Sequence, residues 1–278
     1  MSSILTNHSA MTALSTLRQI NSNLTDTQSR ISTGLKIASG KDNAAYFSIS
    51  KTMSGDSGMF KAIDETLTLQ KNAVSTARLG AETLVELANS FAERVAFAQG
   101  GTEEVRADVQ AELDELVARM ATTIAQSTFN GTDYVNTASA VTLVTGISRA
   151  AGGTVNTTTM SFNQQDLGAI QSVLDAIDLT GADSAGAQVA ALQSAEAQLS
   201  AAVAAATAFG IAERSIETQK EFLSELTDRL DSGIGSMIDA DMEAEAAKLQ
   251  AQQVQQQLAT QSLSIANASP QNILSLFQ

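Results

Sequence analysis

Apolar residues recur every seven positions near both ends of this 278-residue chain, and this repeat constrains the fold more than any other feature. A seven-residue repeat places an apolar stripe along one face of a helix, and a partner helix must cover that stripe. The first stripe contains Leu17, Leu24 and Ile31, with a companion line formed by Leu14, Asn21, Gln28 and Leu35. The N-terminal segment is therefore predicted to be a paired helix.

Two further stripes follow the same rule. The second consists of Phe60, Leu67, Val74, Ala81, Ala88 and Val95, beside Ile63, Gln70, Ala77, Leu84, Phe91 and Ala98. The third consists of Phe209, Ile216, Leu223, Leu230, Met237, Ala244, Ala251, Leu258 and Ile265, beside Leu226, Gly233, Ala240, Ala247, Val254, Gln261 and Ala268. Pro270 is the only proline in the chain, which favours long uninterrupted helices.

Glycines indicate where these helices end or bend. Gly100 and Gly101 suit the left-handed residue that closes a helix, and Thr102 is a suitable N-cap for the next one. A helix-turn-helix is therefore predicted at that point. The segment Asp231–Ser236 contains two glycines, which each cost about 1 kcal/mol in a helix, so we expect a bend or joint there.

The middle of the chain has a different composition. From Asn130 to Gly181 the sequence is rich in Gly, Thr, Ser and Asn, and the runs Val141–Val144 and Val155–Phe162 alternate as short strands do. The predicted fold class is mainly α: a long antiparallel rod of heptad helices from the N- and C-terminal segments, with a small β or irregular insert in the middle.

Charge is absent from both ends of the chain. The first seventeen residues and the last thirty, Leu249–Gln278, contain no Asp, Glu, Lys or Arg, although the formal net charge is −14. Because isolated charges are rarely buried, we expect both ends to be buried against protein. Neither end offers the apolar run of a signal peptide or a membrane span, and a pI near 4.4 disfavours nucleic acid, so neither membrane insertion nor a nucleic-acid partner is expected.

Residues that carry chemistry are sparse. The chain has no cysteine, and His8 is its only histidine, which we expect to make a polar contact at an interface. Asp239, Asp241, Glu243 and Glu245 alternate as in a calcium loop, but Ala244 occupies the position of the required glycine. No catalytic residue, cofactor or metal ligand is therefore predicted, and the chain is not expected to be an enzyme.

Four motifs carry a resemblance to a known family. Arg30–Ala45 is similar to the N-terminal signature of bacterial flagellins, and Thr128–Gly131 resembles the end of the first conserved block of that family. Asp239–Glu243 and Ser269–Gln278 are similar to its C-terminal block. The resemblance implies a structural subunit that self-assembles into the helical filament used for bacterial motility, and it covers most of the chain.

The family also implies a division into domains. Residues 1–50 with 235–278 would form the inner terminal-helix (D0) domain and its connecting spoke, 51–130 with 183–234 the helical rod (D1) domain, and 131–182 a variable surface insert. Polymerisation would then use apolar residues of the inner helices. These are Leu17, Leu24, Ile31, Val254, Leu258, Ile265, Leu274 and Leu276.

The resemblance further implies partners and a location. The expected partners are the chain itself and other flagellins, hook-associated junction and cap proteins, the flagellar export apparatus and an export chaperone, in an extracellular flagellum. Arg94 aligns with an arginine by which flagellins contact Toll-like receptor 5, whereas Ala96, Phe97 and Ala98 replace its usual neighbours. Two alternatives remain: a hook–filament junction protein of the same superfamily, and a secreted coiled-coil effector or adhesin.

Overall fold

The computed structural model describes residues 6–150, 154–182 and 184–274. Over this part of the chain it contains six helices and one antiparallel pair of strands. In chain order the elements are α1 (His8–Thr33), α2 (Ala44–Ala98), α3 (Glu103–Gln126), β1 (Ala140–Arg149), β2 (Val155–Asn163), α4 (Leu167–Asp175), α5 (Ala185–Ile238) and α6 (Met242–Leu274). The predicted fold class, mainly helical with a small β insert, is confirmed.

The contacts divide the chain into two compact units. The terminal-helix unit consists of Met1–Gly55 and Arg229–Gln278, and the central unit of Asp56–Asp228. The boundaries fall inside α2 and α5, so each of these helices contributes to both units. The predicted division into three domains, which also separates the insert, remains a prediction.

The core of the central unit is built on the second predicted stripe. Leu67, Val74, Leu84 and Phe91 of α2 are fully buried, as the heptad pattern predicts. The apolar faces of two further helices cover them, including Leu113 and Met120 of α3, and Phe209, Ile216 and Leu223 of α5. Each helix therefore contributes one apolar face to a shared core, as amphipathic helices do.

The turn between α2 and α3 has the predicted form. Gly100 adopts a φ of 74°, the left-handed conformation that glycine tolerates best. The backbone N–H of Val105 donates to the Thr102 hydroxyl, which caps α3. The Arg106 guanidinium is buried behind this turn, where its Nε donates to the Leu179 carbonyl at 3.1 Å. The helix-turn-helix prediction is confirmed.

The insert packs against α2 and α5 through its first strand. β1 and β2 pair antiparallel, with an irregularity between Val144 and Gly146. The Gln219 side-chain amide of α5 donates to the Thr145 carbonyl of β1 at 2.8 Å. Helix α4 was not predicted: the Asp166 carboxylate caps it by accepting the Ala169 N–H at 2.8 Å, and Leu167 and Leu174 are buried.

The expected joint at Asp231–Ser236 is wrong. Helix α5 continues through this segment, and the chain leaves the helix only at Asp239. The two glycines allow close approach instead of a bend. A Cβ atom at Gly235 would lie 2.6 Å from the Asp239 carboxylate, and one at Gly233 would lie 3.4 Å from the Met53 side chain.

Leu84→Ala tests the α2 core. It should lower the free energy of unfolding by about 2 to 5 kcal/mol, because a fully buried leucine leaves a cavity when it is truncated. Leu79→Ala, on the exposed face of the same helix, is the matched control and should change stability by less than about 0.5 kcal/mol. Urea unfolding of the monomer measures both. Equal losses would contradict the assigned core face.

Candidate functional site

The antiparallel pair of α1 and α6 forms the candidate site. The Asn7 side-chain amide donates to the Ala266 carbonyl at 2.8 Å near one end of the pair. The Gln256 amide donates to the Asn21 side-chain oxygen at 2.7 Å near the middle. The pair joins the two ends of the chain, as the heptads predict.

On α1 the predicted stripe is correct, but its companion line is wrong. Leu17, Leu24 and Ile31 are half-buried. Their true companions are Ala13, Ile20 and Thr27, whereas the predicted Leu14, Asn21 and Gln28 are exposed. A heptad stripe can take its second line from either side, and here the helix turns toward α6 on the side that carries Ile20.

On α6 the heptad has a different phase from the one on α5. The residues that face α1 are Glu245, Leu249, Gln252, Gln256, Ala259, Leu263 and Ala266, which are buried or half-buried. The line of Phe209 and Ile216 would have continued through Ala251 and Leu258. The interruption of the helix between α5 and α6 displaces the buried line by one residue.

This displacement leaves an apolar ridge uncovered. Val254, Leu258 and Ile265 are 55%, 62% and 64% exposed. These three predicted polymerisation residues therefore lie together on a face of α6 that does not contact α1. Leu274 lies at the end of α6, but its side chain and the whole of Leu276 fall outside the described residues.

The opposite side of α6 is polar. Gln253, Gln257, Thr260 and Ser264 recur at helical spacing and are all exposed. Helix α6 thus has three faces between Leu249 and Ala268: one packed on α1, one apolar and one polar and uncharged. The pair also carries a groove of about 480 Å³ lined by small side chains, among them Ser9, Thr12, Ala259 and Ser262.

The two connections of the terminal-helix unit pair with each other. Leu35 forms an isolated antiparallel bridge with Asp239, and the Ala240 N–H donates to the Gly34 carbonyl at 2.8 Å. The Asp42 carboxylate orders the first connection by accepting the backbone N–H groups of Ser39 and Ala38. The bond from the Ser39 backbone is the main reason that the pKa of Asp42 falls below its ordinary value.

Glu245 is the one charged residue buried in the described part of the α1–α6 interface. Its Oε1 lies 2.7 Å from Lys248 Nζ and 3.6 Å from Arg30 Nη1. The hydrogen bond from Lys248, with a smaller electrostatic contribution from Arg30, lowers the pKa of Glu245 below its ordinary value. The second oxygen, Oε2, has no hydrogen-bond partner among the described residues.

The acidic cluster before α6 has a structural explanation. The Asp241 carboxylate accepts the backbone N–H groups of Glu243 and Ala244, both at 3.1 Å, and so caps α6. Acidic side chains are favourable at this end of a helix. The described residues contain no group of three or more His, Asp or Glu that could hold a metal ion. His8 lies exposed at the start of α1.

Arg94 lies elsewhere, on the outer face of α2 in the central unit. Its side chain is 52% exposed, and its Nε lies 3.0 Å from Glu112 Oε2 of α3. Ala98 is buried, whereas Phe97 is exposed. The predicted receptor contact is therefore already part of an ion pair within the chain.

Comparison with known proteins gives consistent matches. The models of the bacterial flagellin N-terminal and C-terminal helical regions match residues 4–139 and 182–277. The flagellin of Brucella melitensis biotype 1 is 36% identical over 281 residues, covering 100% of both chains. Flagellin FljK of Caulobacter vibrioides is 32% identical over 281 residues, covering 100% of this chain and 99% of its own. The crystal structure of Bacillus cereus flagellin matches 66% of this chain and 94% of its own, with a TM-score of 0.36 and 14% identity.

Acidification tests the role of Glu245. Because the folded state lowers the pKa of this carboxyl, its contribution to stability is present above the ordinary glutamate value of 4.5 and is lost as the pH falls through the lowered value. Amide exchange of α1, corrected for intrinsic rates, should therefore show weaker protection at about pH 3.5 than at about pH 6. Glu245→Gln should flatten this dependence, whereas Glu243→Gln, which alters an exposed residue, should preserve it. An unchanged profile in Glu245→Gln would contradict the assignment.

Proposed function

The chain belongs to the bacterial flagellin family and is a filament subunit, and we propose that it polymerises through the paired helices α1 and α6. Flagellins are structural proteins that polymerise with themselves. The comparisons give no support to a hook–filament junction protein or to a secreted effector. The proposal therefore concerns how this chain assembles and which of its surfaces do so.

The observation that carries the proposal is the exposed ridge of Val254, Leu258 and Ile265. Burying a large aliphatic side chain is worth about 1.5 to 3 kcal/mol. The chain gives the ridge no cover within the described residues, and it places no charge on α6 between Leu249 and the C-terminus. A second copy of the same uncharged helix pair is the partner that suits such a surface, because it removes the ridge from water without burying a charge.

The three faces of α6 suggest an arrangement in the filament. The face on α1 holds the pair together, and the apolar ridge packs against a neighbouring copy. The polar face, with Gln253, Gln257, Thr260 and Ser264, lines a water-filled channel. Because these side chains are uncharged, an unfolded chain of either charge could pass along that wall.

The finer domain assignment follows from the same model. Residues 1–50 with 235–278 form the inner layer, 51–130 with 183–234 the layer around it, and 131–182 the outer surface. Other flagellins, junction and cap proteins, the export apparatus and an export chaperone are the remaining partners, and the polymer is extracellular. The family indicates a structural role, and we propose that the chain has no catalytic activity.

Receptor recognition is a second, separate proposal. Arg94 is the candidate contact with Toll-like receptor 5, but binding would have to compete with the ion pair to Glu112. The cation and anion that flank this arginine in strongly recognised flagellins are replaced by Ala96 and Phe97. We therefore propose that this chain is a weak ligand.

A reporter-cell assay with purified, endotoxin-free monomer tests the receptor proposal. Loss of two interface hot spots of at least about 2 kcal/mol each should raise the half-maximal concentration by about a thousandfold relative to a strong flagellin agonist. Arg94→Ala should remove most of the residual signal. A half-maximal concentration equal to that of a strong agonist would contradict the proposal.

Leu258→Asp tests the polymerisation proposal. It places a carboxylate on the ridge, and an unpaired charge buried in every subunit contact costs several kcal/mol. The variant should remain a monomer with unchanged helical content, as measured by sedimentation and circular dichroism. Leu258→Met, which conserves volume and apolarity, is the matched control and should polymerise. Filaments of normal length from Leu258→Asp would show that the ridge is not an assembly surface.

A further inference from the structure

The central unit carries two exposed apolar stripes of its own. On α2, Leu69 and Leu79 are 58% and 63% exposed, and on α5, Ile211 and Phe222 are 63% and 57% exposed. Each pair is ten or eleven residues apart, which places its members about 15 to 17 Å apart along one face of a helix. These residues point away from the core formed by Leu67, Val74, Phe209 and Ile216.

Both stripes are free of charge. Asn72 and Thr76 lie between the two leucines on the face of α2, and Ser215 and Thr218 lie between Ile211 and Phe222 on α5. We name these the α2 stripe (Leu69, Asn72, Thr76, Leu79) and the α5 stripe (Ile211, Ser215, Thr218, Phe222). Of the described helices, α5 alone contains an 18-residue window apolar enough to cross a membrane by length and composition, and only 28% of that window is buried.

The charge of the chain makes these stripes unusual. Seven of the 16 basic residues and seven of the 30 acidic residues lie in the terminal-helix unit, which is therefore neutral. The whole formal charge of −14 lies in the central unit. Two central units brought together through their acidic faces would repel each other. Contact through an uncharged apolar stripe avoids that repulsion and removes apolar surface from water.

We infer that the α2 and α5 stripes are contact surfaces that neighbouring copies of this chain cover in the polymer. The inference rests on the proposed function, because it assigns a second set of contacts to the same assembly. The two stripes differ in residues and lie on different helices, so each contact is heterologous. Heterologous contacts build open helical arrays instead of closed dimers.

The charges beside the stripes are complementary. Glu65 and Glu86 flank the α2 stripe, and neither forms an ion pair with a residue that the structure describes. Arg214 lies beside the α5 stripe, and its guanidinium is likewise without an ion pair among the described residues. Most other cations of this unit have an acidic partner in the same chain, such as Lys71 with Glu217 and Arg78 with Glu213. An acidic neighbour can therefore satisfy Arg214.

Single cysteines test the inference, because the chain has none of its own. Leu79→Cys and Phe222→Cys place a thiol on each stripe, and Thr157→Cys, on the exposed strand β2, is the matched control. Maleimide labelling is measured in monomers and in sedimented polymers of the full chain. Labelling at positions 79 and 222 should slow by at least about tenfold in the polymer, since a buried thiol is inert to the reagent, whereas position 157 should react equally in both states.

Each outcome distinguishes the stripes from the α6 ridge. If polymers form and both stripe cysteines react as fast as in monomers, this inference is wrong while the proposed function stands. If the unmodified chain does not polymerise at all, the proposed function itself fails. A stripe variant that stays monomeric with an unchanged melting temperature supports the inference. Binding of the monomer to phosphatidylglycerol vesicles that Phe222→Asp abolishes would instead assign the α5 stripe to a lipid surface and overturn it.

Discussion

The pairing of α1 with α6 is the interaction on which the assembly surface depends. It uses one face of each helix and buries little: Thr27, Glu245 and Ala259 are the buried residues among its described side chains, and the other contacts are half-buried. A thin interface of this kind contributes modestly to stability within one subunit. It fixes the rotation of α6, however, and that rotation decides that Val254, Leu258 and Ile265 face outward. The surface available for polymerisation is thus set by an intramolecular contact.

The distribution of charge separates the two units by function. The terminal-helix unit is neutral and keeps its charges near the connections, where Asp241 caps α6 and Glu245 meets Arg30 and Lys248. The central unit carries the whole net charge and stabilises its outer surface with ion pairs such as Arg78 with Glu213. Exposed pairs of this kind contribute little each to stability. Their arrangement leaves uncharged stripes between them, and self-association can use those stripes without large electrostatic cost.

The sequence predicted most of the helical core and missed the details that depend on a helix end. The stripe from Phe60 to Val95 lies inward throughout, because an uninterrupted heptad determines one face over its whole length. The same reasoning failed across the connection at Asp239–Asp241, where the interruption displaces the buried line by one residue. It also failed for the α1 companion line, since the repeat of Leu17 and Leu24 allows a second line on either side. Helix α4 had a readable signal, an Asp166 cap before Leu167, Ile170 and Leu174, but its nine residues lie in a segment whose composition favours strands and turns.

A cryo-microscopy map of the assembled filament tests the central claim most directly. The account predicts that α1 and α6 remain paired in each subunit, and that Leu258 and Ile265 lie within about 4 Å of side chains from a neighbouring copy. It also predicts that Gln253, Gln257 and Thr260 face water in the channel. A map in which the Val254, Leu258 and Ile265 ridge faces the channel, or in which α6 pairs with a helix other than α1, would contradict the account.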